Sequence, residues 1–494
     1  MAVMGLKDRL STLPGVIAAL GLYGLLHATM RLTASSNLGE NDPLSVLQTQ
    51  SVHALLQSEG IIFDALVFAL AEILGPSALV FQILRYGLLA IALAFVFLIA
   101  RRATGSGLWA LLTVESYALI YQISWRFHEG FTYPLVAMVA VAGTFWAYGK
   151  LRDGERSAYA WLAVFSIIGM TTGVWYALFA ASCAVTIGLR GGNSLAASWL
   201  ATIPIVWIIV LEGLAPAGLL GHVSEKELFD GFDVSLDGAL KAASAILAYL
   251  SPFLVIVILL FARSLADRLG ETHHDIRIIK LASIIAAIGL IAIGGLNGRA
   301  DYAEHALMPV FFLTPIWIMD AVRRSMPSDI AVKTYILICL ALMVVAFGAR
   351  AANLYVLDPV CKRCYFGIPY EGLADTISKM RDISPQAPII ADSDRLAGNL
   401  TSFWAGDHRV FRTASSLENL DRFSGGALLV WDETRGGGAL PARLGNLAAE
   451  RRDAVLANTR TIEVPWRHMW RVTGYRQSVW KVSILPPLDD DESQ

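Results

Sequence analysis

Long runs of hydrophobic residues, separated by short polar loops, fill the first 350 positions of the chain. Runs of about 17–25 apolar residues are long enough to cross the hydrocarbon core of a bilayer. In lipid they must be helical, because each backbone donor and acceptor needs a partner within its own segment. The pattern predicts a mainly α-helical polytopic membrane protein with about eleven transmembrane helices. They lie near residues 13–30, 77–100, 106–124, 131–149, 157–172, 174–189, 195–214, 243–262, 281–296, 306–322 and 333–349.

Two stretches do not fit a simple span. Residues 157–189 could form one long tilted helix, but Thr171, Thr172 and Gly173 favour a break into two. Residues 61–74 are apolar but carry Asp64 and Glu72, and about 14 residues are short for a span. This segment suits a helix that lies in the membrane interface or dips back into the protein.

The basic residues indicate the orientation of the chain. The first span follows Lys7 and Arg9, but its apolar run is too long for a signal peptide and lacks a small-residue cleavage site. With the N-terminus in the cytoplasm, the inner loops hold about 15 lysines and arginines and the short outer loops about 5, as the positive-inside rule requires. An odd number of spans then places the C-terminal segment outside the cytoplasm.

Beyond about residue 365 the hydropathy falls, and short apolar segments alternate with amphipathic ones. Residues 388–391 and 427–431 are typical of buried strands bounded by turns, whereas 371–381 and 446–456 have the period of helices. We predict a transmembrane catalytic domain at 1–350 and an extracytoplasmic α/β domain at 365–488, a length that suffices for one small domain. An acidic, disordered tail follows at 489–494.

The composition agrees with a membrane protein and excludes other classes. Hydrophobic residues make up 55% of the chain and charged residues 16%, and the mean hydropathy is +0.56. The net charge is −2 and no basic face stands out, which argues against a nucleic-acid partner. The chain contains no HExxH zinc motif, Walker A loop or nucleophile elbow.

The four cysteines form two pairs of different character. Cys183 and Cys339 lie within spans and suit apolar packing. Cys361 and Cys364 form a Cys-Lys-Arg-Cys sequence after the last span. An oxidising compartment would allow a small disulfide between them, and free thiols are the alternative. Neither a thioredoxin-like βαβ context nor further zinc ligands are visible around this pair.

Acidic residues gather in the predicted outer loops, in three clusters that also contain arginine or other polar residues. These clusters are Gly39-Glu40-Asn41-Asp42-Pro43, Trp125-Arg126-Phe127-His128-Glu129, and the segment from Asn297 to His305, which includes Arg299 and Glu304. Carboxylates at a membrane boundary are costly unless they bind or react with something. Arginine offers a bidentate partner for phosphate, and a carboxylate can take a proton. The three clusters therefore suit a polar substrate that carries a phosphate.

A structural role is the alternative for each cluster. Acidic loops are commonly only solvated. Aromatic and arginine side chains at a membrane interface are ordinary anchors, which would account for Trp125 and Arg126. Isolated histidines such as His128 and His305 are more often hydrogen-bonded parts of a structure than catalysts.

Four further patterns belong together. They are the acidic first outer loop with Gln48 and Gln50, Gly75 followed by Leu84-Arg85-Tyr86, Glu304-His305-Ala306-Leu307-Met308-Pro309, and Asp392 to Leu400 after a strand. In combination they resemble the GT-C superfamily of membrane glycosyltransferases, in the branch of the bacterial relatives of protein O-mannosyltransferases and the lipid A aminoarabinose transferase. The chain departs from that family at Asn41, which replaces one acid of the usual pair. The usual paired prolines before the second span and a lysine after the fifth are also missing.

The resemblance implies a hexosyl- or pentosyltransferase that uses a polyprenyl-phosphate sugar as donor. The implied acceptor is lipid A or lipopolysaccharide, another glycan, a lipid or a protein, outside the bacterial cytoplasmic (inner) membrane. Asp42 or Glu40 would be the catalytic base, and Arg299, with Arg126 or Lys226 as alternates, would hold the donor phosphate. The other substrate-binding residues implied are Asn41, His128, Glu129, Glu304 and His305. No cofactor is certain, although Asp42, Glu129 and His305 would also suit a divalent cation.

Three other functions stay open, namely a lipid-linked glycan ligase or polymerase, a transporter, and a relative that binds lipid-linked sugar without catalysis. A ligase would normally lack the C-terminal α/β domain. A transporter would need interrupted helices in matching halves, whereas Glu115 and Glu212 are the carboxylates well inside clear spans and no repeated halves are visible. Because Asn41 replaces one acid of the usual pair, a relative that binds lipid-linked sugar without catalysis stays open.

Overall fold

The computed structural model describes most of the membrane region and parts of the C-terminal region. The described residues are 9–34, 61–130, 133–190, 193–213, 234–267, 273–297, 307–357, 365–379, 387–403, 410–412, 426–434, 440–447, 451–466 and 476–487. The chain divides into two compact units, one built mainly from residues 84–346 and the other mainly from 347–494. The second unit also includes the end of the first helix and residues 66–83, which the sequence did not indicate. The predicted division at 350–365 stays a prediction.

Helices form the membrane region. They are α1 (Leu13–Leu32), α2 (Ile61–Leu74), α3 (Ala78–Thr104), α4 (Gly107–Glu115), α5 (Tyr121–Ser124), α6 (Tyr133–Arg152), α7 (Ala158–Met170), α8 (Val174–Leu189), α9 (Ser194–Gly213), α10 (Leu236–Leu250), α11 (Phe253–Asp267), α12 (His274–Asn297), α13 (Leu307–Phe311), α14 (Thr314–Arg324) and α15 (Asp329–Ala352). Within the described residues, α1, α3, α6, α12 and α15 are long and apolar enough to cross a membrane. Helices α7, α8 and α11 are apolar but shorter, and so is the segment Ser194–Val206 of α9. The fold is mainly helical, and the total of eleven spans stays a prediction.

Two of the less regular predictions are confirmed. The short apolar segment forms a helix, α2, whose Asp64 is fully buried, while its place at the membrane interface stays a prediction. Residues 157–189 form two helices, α7 and α8, with Gly173 between them at φ 103°. Glycine adopts this left-handed conformation without steric cost. The hydroxyls of Thr171 and Thr172 each donate to a carbonyl three residues back. These bonds satisfy backbone carbonyls that have no helical partner at the end of α7.

Three predicted spans are interrupted, so these predictions are wrong in detail. The segment 106–124 is divided into α4, a 3-10 turn and the short α5, with Ile120 extended between the last two. The segment 243–262 breaks between α10 and α11 at Pro252, because proline has no N–H for the helical hydrogen bond. The segment 306–322 breaks between α13 and α14, and Pro315 lies in the first turn of α14.

Polar side chains support the broken helices. Non-helical backbone at membrane depth is tolerated only where protein or water supplies partners for its polar groups. The Tyr117 hydroxyl donates to the carbonyl of Phe312, between α13 and α14. The Ser116 hydroxyl is hydrogen-bonded to that of Tyr335 on α15 at 2.7 Å. The breaks are therefore built into the packing of the first unit.

One buried carboxylate joins three helix ends on the predicted cytoplasmic side. Asp275, at the start of α12, has a side chain that is 2% exposed. It lies 2.6 Å from Arg152 Nη1 at the end of α6 and 3.3 Å from Arg102 Nη2 at the end of α3. Arg102 also contacts Asp153 at 3.1 Å. This network ties the ends of α3, α6 and α12 together by charge.

Among the described residues of the second unit, five strands form a sheet with the order β2-β1-β3-β5-β4. Its strands are β1 (Ile389–Ala391), β2 (Val410–Arg412), β3 (Ala427–Asp432), β4 (Arg460–Pro465) and β5 (Gln477–Leu485). β1 pairs in parallel with β2 and β3, whereas β5 is antiparallel to β3 and β4. The two strands predicted from the sequence are confirmed as β1 and β3.

Helices cover both faces of this sheet. α16 (Tyr370–Ser378) and α17 (Asp394–Phe403) share a core with Leu428 and Val430 of β3. α18 (Ala442–Leu447) and α19 (Arg452–Ala457) share the opposite core with Leu429 and Trp431. The faces alternate along β3, as successive strand side chains must. The helix predicted at 371–381 is found as α16, while the one predicted at 446–456 is divided between α18 and α19.

Candidate functional site

Of the three polar clusters predicted in the outer loops, the structure describes the one at 126–129. The other candidate residues lie outside the described residues, so their positions stay predictions: Glu40, Asn41, Asp42, Lys226, Arg299, Glu304 and His305. Cys361 and Cys364 also lie outside them, whereas Cys183 and Cys339 are buried free thiols, as predicted.

Arg126 to Glu129 form one turn of 3-10 helix directly after α5. A 3-10 helix has three residues per turn, so side chains three positions apart lie on the same side. Arg126 and Glu129 therefore share a side and are half-buried, whereas Phe127 and His128 are buried, each 1% exposed. The turn ends at Gly130 with φ 120°, a conformation that favours glycine. It thus places Arg126 and Glu129 on one side of the turn.

The ring of His128 is held from two sides by tyrosines. Tyr23 Oη on α1 lies 2.7 Å from Nε2, and Tyr86 Oη on α3 lies 2.8 Å from Nδ1. A neutral imidazole has one donor and one acceptor nitrogen, so one tyrosine accepts a hydrogen bond and the other donates one. A hydroxyl can fill either role, and the ring orientation is therefore fixed for both tautomers. His128 consequently links the turn to α1 and α3.

The segment Leu84-Arg85-Tyr86 supports the same turn through its backbone and its aromatic ring. Arg85 is 1% exposed, and its Nη1 donates to the His128 carbonyl at 3.3 Å. The Tyr86 and Phe127 rings meet edge to face, with centroids 5.8 Å apart and an angle of 86°, an arrangement that aromatic pairs prefer. In the sequence this segment carries only a family resemblance. The structure shows that it anchors the 126–129 turn.

The close approach of α1 to α3 depends on Gly24. A Cβ atom at this position would lie 2.8 Å from the Cβ of Tyr86, which is closer than real Cβ contacts. Small residues let membrane helices approach in this way. The neighbouring Tyr23 then reaches His128 from the same turn of α1. Gly24 therefore sets the distance between the two helices that hold the His128 ring.

Arg126 and Glu129 can bind the two kinds of polar group that a phosphorylated sugar carries. The Arg126 guanidinium suits paired oxygens of a phosphate, and the Glu129 carboxylate can accept hydrogen bonds from hydroxyls or take a proton. Both side chains keep partial exposure, so a ligand can reach them. No group of three His, Cys, Asp or Glu side chains within the described parts of the chain could hold a metal ion.

The sequence did not predict Tyr23, Arg85 or Tyr86 as site residues. A signal for Arg85 was present, because a charged residue inside an apolar segment needs a partner or a function. The same signal marks Asp64, which is completely buried in α2. Tyr23 gives a weaker signal, since a tyrosine near the end of a span is commonly an interface anchor.

Two solved structures resemble the chain over nearly its whole length. The crystal structure of ArnT from Cupriavidus metallidurans bound to undecaprenyl phosphate has a TM-score of 0.58 at 11% identity, over 94% of this chain and 98% of that one. The same protein in the apo state has a TM-score of 0.54 at 11% identity, over 95% and 98%. The chain therefore has the fold of ArnT.

This is the fold that the resemblance to the GT-C superfamily implies. Five helices within the described residues are long and apolar enough to cross a membrane, as an integral membrane protein requires. No model of a known protein family matches the chain, and neither does any curated protein sequence.

Proposed function

We propose that this protein is a membrane glycosyltransferase that moves a hexose or pentose from a polyprenyl-phosphate donor to an acceptor outside the cytoplasm. The observation that carries the proposal is the GT-C fold over 94% of the chain. ArnT, which shares this fold, was crystallised with undecaprenyl phosphate. The accessible pair Arg126 and Glu129 adds the phosphate-binding and hydroxyl-binding groups that such a donor requires.

The proposed reaction is a single displacement at the anomeric carbon of the sugar. The acceptor oxygen forms a bond to that carbon while the bond from the carbon to the phosphate oxygen breaks. Polyprenyl phosphate leaves with the electron pair, and Asp42 or Glu40 takes the proton of the acceptor. A positioned general base contributes about 10²–10⁴-fold to such a step. Asn41 cannot take the proton and is assigned to the sugar instead.

The remaining proposed roles follow from charge and shape. Arg299, Arg126 and Lys226 are the candidates for the donor phosphate, because a cation offsets the charge that develops on the leaving group. Glu129, Glu304 and His305 are assigned to the sugar hydroxyls. Burial and two tyrosine hydrogen bonds suit His128 to a positioning role, in which its ring fixes the orientation of Arg126 and Glu129. Glu129 is also a candidate ligand for a divalent cation.

The experiment that tests the proposal uses the purified chain in proteoliposomes with radiolabelled polyprenyl-phosphate hexoses and pentoses. Extracts of envelope glycolipids and glycans serve as acceptors. Release of polyprenyl phosphate with transfer of label supports the proposal. Saturable binding of donor without release indicates the non-catalytic relative, and absence of both overturns the proposal. Comparison of envelope glycans in a deletion strain then identifies the acceptor.

A further inference from the structure

Helices α12 and α14 lie side by side and antiparallel in the membrane region. The Thr314 hydroxyl at the start of α14 donates to the Ser283 hydroxyl of α12 at 3.4 Å. Three residues further along α14 and three residues back along α12, Lys280 Nζ lies 5.9 Å from the centre of the Trp317 ring. A cation at this distance from an indole ring is attracted to it. Trp317 of α14 therefore holds the ammonium group of Lys280.

The face of α12 that carries Lys280 combines two cations with an apolar stripe. Arg277 and Lys280 are exposed in the first two turns of the helix. Ile284 and Ile288 continue the same side and are 39% and 62% exposed, because residues three, four and seven positions apart share one side of a helix. Helix α12 is long and apolar enough to cross a membrane. The two cations thus lie at the membrane-surface end of a stripe that faces lipid.

The carboxylates of the two helices are engaged by other arginines. Asp275, the acid of α12, contacts the arginines at the ends of α3 and α6. Asp320, the acid of α14, is fully buried and forms ion pairs at 3.0 and 2.7 Å with the two arginines that end this helix. Within the described parts of the chain, neither Arg277 nor Lys280 forms an ion pair. Their charges are therefore available to an anion.

The combination of charge and apolar surface selects the kind of ligand. A phosphate group can accept hydrogen bonds from a guanidinium and an ammonium group together. A free phosphate would make no use of the apolar stripe, and a zwitterionic head group brings a cation that Arg277 and Lys280 repel. Basic groups beside transmembrane helices bind anionic head groups, and tryptophan commonly lies at head-group level.

We propose that this face of α12, with Trp317 of α14, binds an anionic phospholipid of the surrounding bilayer. Arg277 and Lys280 donate to the phosphate of its head group, and an acyl chain lies along Ile284 and Ile288. The lipid belongs to the leaflet at the end where α12 begins, which the basic residues predict to be cytoplasmic. The site is independent of the proposed transferase function, because none of its residues takes part in the proposed sugar transfer.

Native mass spectrometry of the full chain in detergent micelles tests the proposal. The probes are phosphatidylglycerol and phosphatidylethanolamine with the same acyl chains, and the measured quantity is the affinity for the first bound lipid. The variants are Arg277→Gln and Lys280→Gln. Lys333→Gln is the matched control, because Lys333 is an exposed lysine of the apolar helix α15, which has isoleucine at position 330, where α12 has its second cation. Circular dichroism checks that each variant keeps the wild-type fold.

The wild type and Lys333→Gln should both bind phosphatidylglycerol more tightly than phosphatidylethanolamine. Each cation near a membrane surface strengthens the attraction to anionic lipid about fivefold, so Arg277→Gln and Lys280→Gln should each lose about that factor. Equal affinity of the wild type for the two lipids would overturn the proposal. An equal loss in Lys333→Gln would also overturn it, because the attraction would then belong to the basic surface as a whole.

Two competitors distinguish the bilayer phospholipid from other phosphates. Inorganic phosphate at millimolar concentration should leave the first phosphatidylglycerol bound, and its displacement would indicate a site for free phosphate instead. Undecaprenyl phosphate should not displace phosphatidylglycerol from this site. Tighter binding of undecaprenyl phosphate that is lost in Arg277→Gln and Lys280→Gln would overturn the proposal and indicate a second site for the lipid carrier.

Discussion

Tyr86 and His128 are joined by a hydrogen bond of 2.8 Å although 42 positions separate them in the chain. The bond connects α3 to the turn that carries Arg126 and Glu129. Tyr23 of α1 makes the matching bond on the other side of the ring. The two tyrosines therefore give the turn a fixed orientation, and this orientation determines where the guanidinium and the carboxylate lie.

Tyr86→Phe should reduce sugar transfer by about tenfold, because it leaves a buried imidazole nitrogen unsatisfied at a cost of about 1–3 kcal/mol. Tyr23→Phe should act in the same direction. If the role is to position Arg126, the donor KM should rise along with the fall in kcat. Steady-state kinetics with a radiolabelled donor measure both quantities. The control is Tyr121→Phe, a tyrosine that is 44% exposed on α5, and equal kinetics in Tyr86→Phe and this control would refute the positioning role.

Gly24→Val should lower the thermal unfolding midpoint and the activity together. The new side chain would meet Tyr86, and overpacking of this kind costs about 1–3 kcal/mol. Gly21→Val is a matched control on the same helix, because a Cβ at Gly21 has no contact within 4 Å. Thermal unfolding followed by circular dichroism compares the two. A Gly24→Val protein as stable as Gly21→Val would show that α1 and α3 do not need the glycine.

Asp275→Asn should destabilise the membrane unit. The substitution leaves Arg102 and Arg152 facing a neutral group, and removal of one partner from a buried pair is costly. The arginine side chains are 22% and 28% exposed, so we expect about 2 kcal/mol, below the range for full burial. Asp237→Asn is the control, because its ion pair with Lys241 is largely exposed. Similar unfolding midpoints for the two variants would contradict a structural role for Asp275.

Asp392→Asn should stabilise the sheet at neutral pH. Burial raises the pKa of Asp392, and the nearby Asp432 charge adds to this, while hydrogen bonds from the Asp432 N–H and Ser393 and the charge of Arg395 oppose it. A folded state with the raised pKa binds the proton more tightly than the unfolded state. Stability is therefore highest below the ordinary carboxyl pKa and falls as pH rises through the raised value. Hydrogen exchange of β3 from pH 3 to 7 should show this fall in the wild type and not in the variant. A wild-type sheet that gains stability over that interval would refute the assignment.

The sequence predicts those parts of the fold that depend on residues close together in the chain. Apolar length is a local property and predicts α2, and the local sequence Thr171-Thr172-Gly173 predicts the break between α7 and α8. The breaks inside 106–124 and 306–322 depend on partners distant in the chain, such as Tyr117 with Phe312 and Ser116 with Tyr335. Pro252 is a local signal for the break between α10 and α11, but the continuous apolar run around it predicts a single span.

The candidate site also contains residues that the sequence predicts and residues that only tertiary packing adds. Residue types and their predicted side of the membrane suffice to select Arg126, His128 and Glu129. The tyrosines that hold His128 lie on two other helices, and only tertiary packing brings them together. For that reason no spacing in the chain indicates Tyr23, and Tyr86 is marked only by the family pattern that contains Leu84-Arg85-Tyr86.

The most direct test of the central claim is the rate of polyprenyl phosphate release from a polyprenyl-phosphate sugar by the wild type, Asp42→Asn and Glu40→Gln. Loss of the true base should lower this rate about 10²–10⁴-fold in one of the two variants, while donor binding is retained. Wild-type rates in both variants would contradict the proposed transfer mechanism.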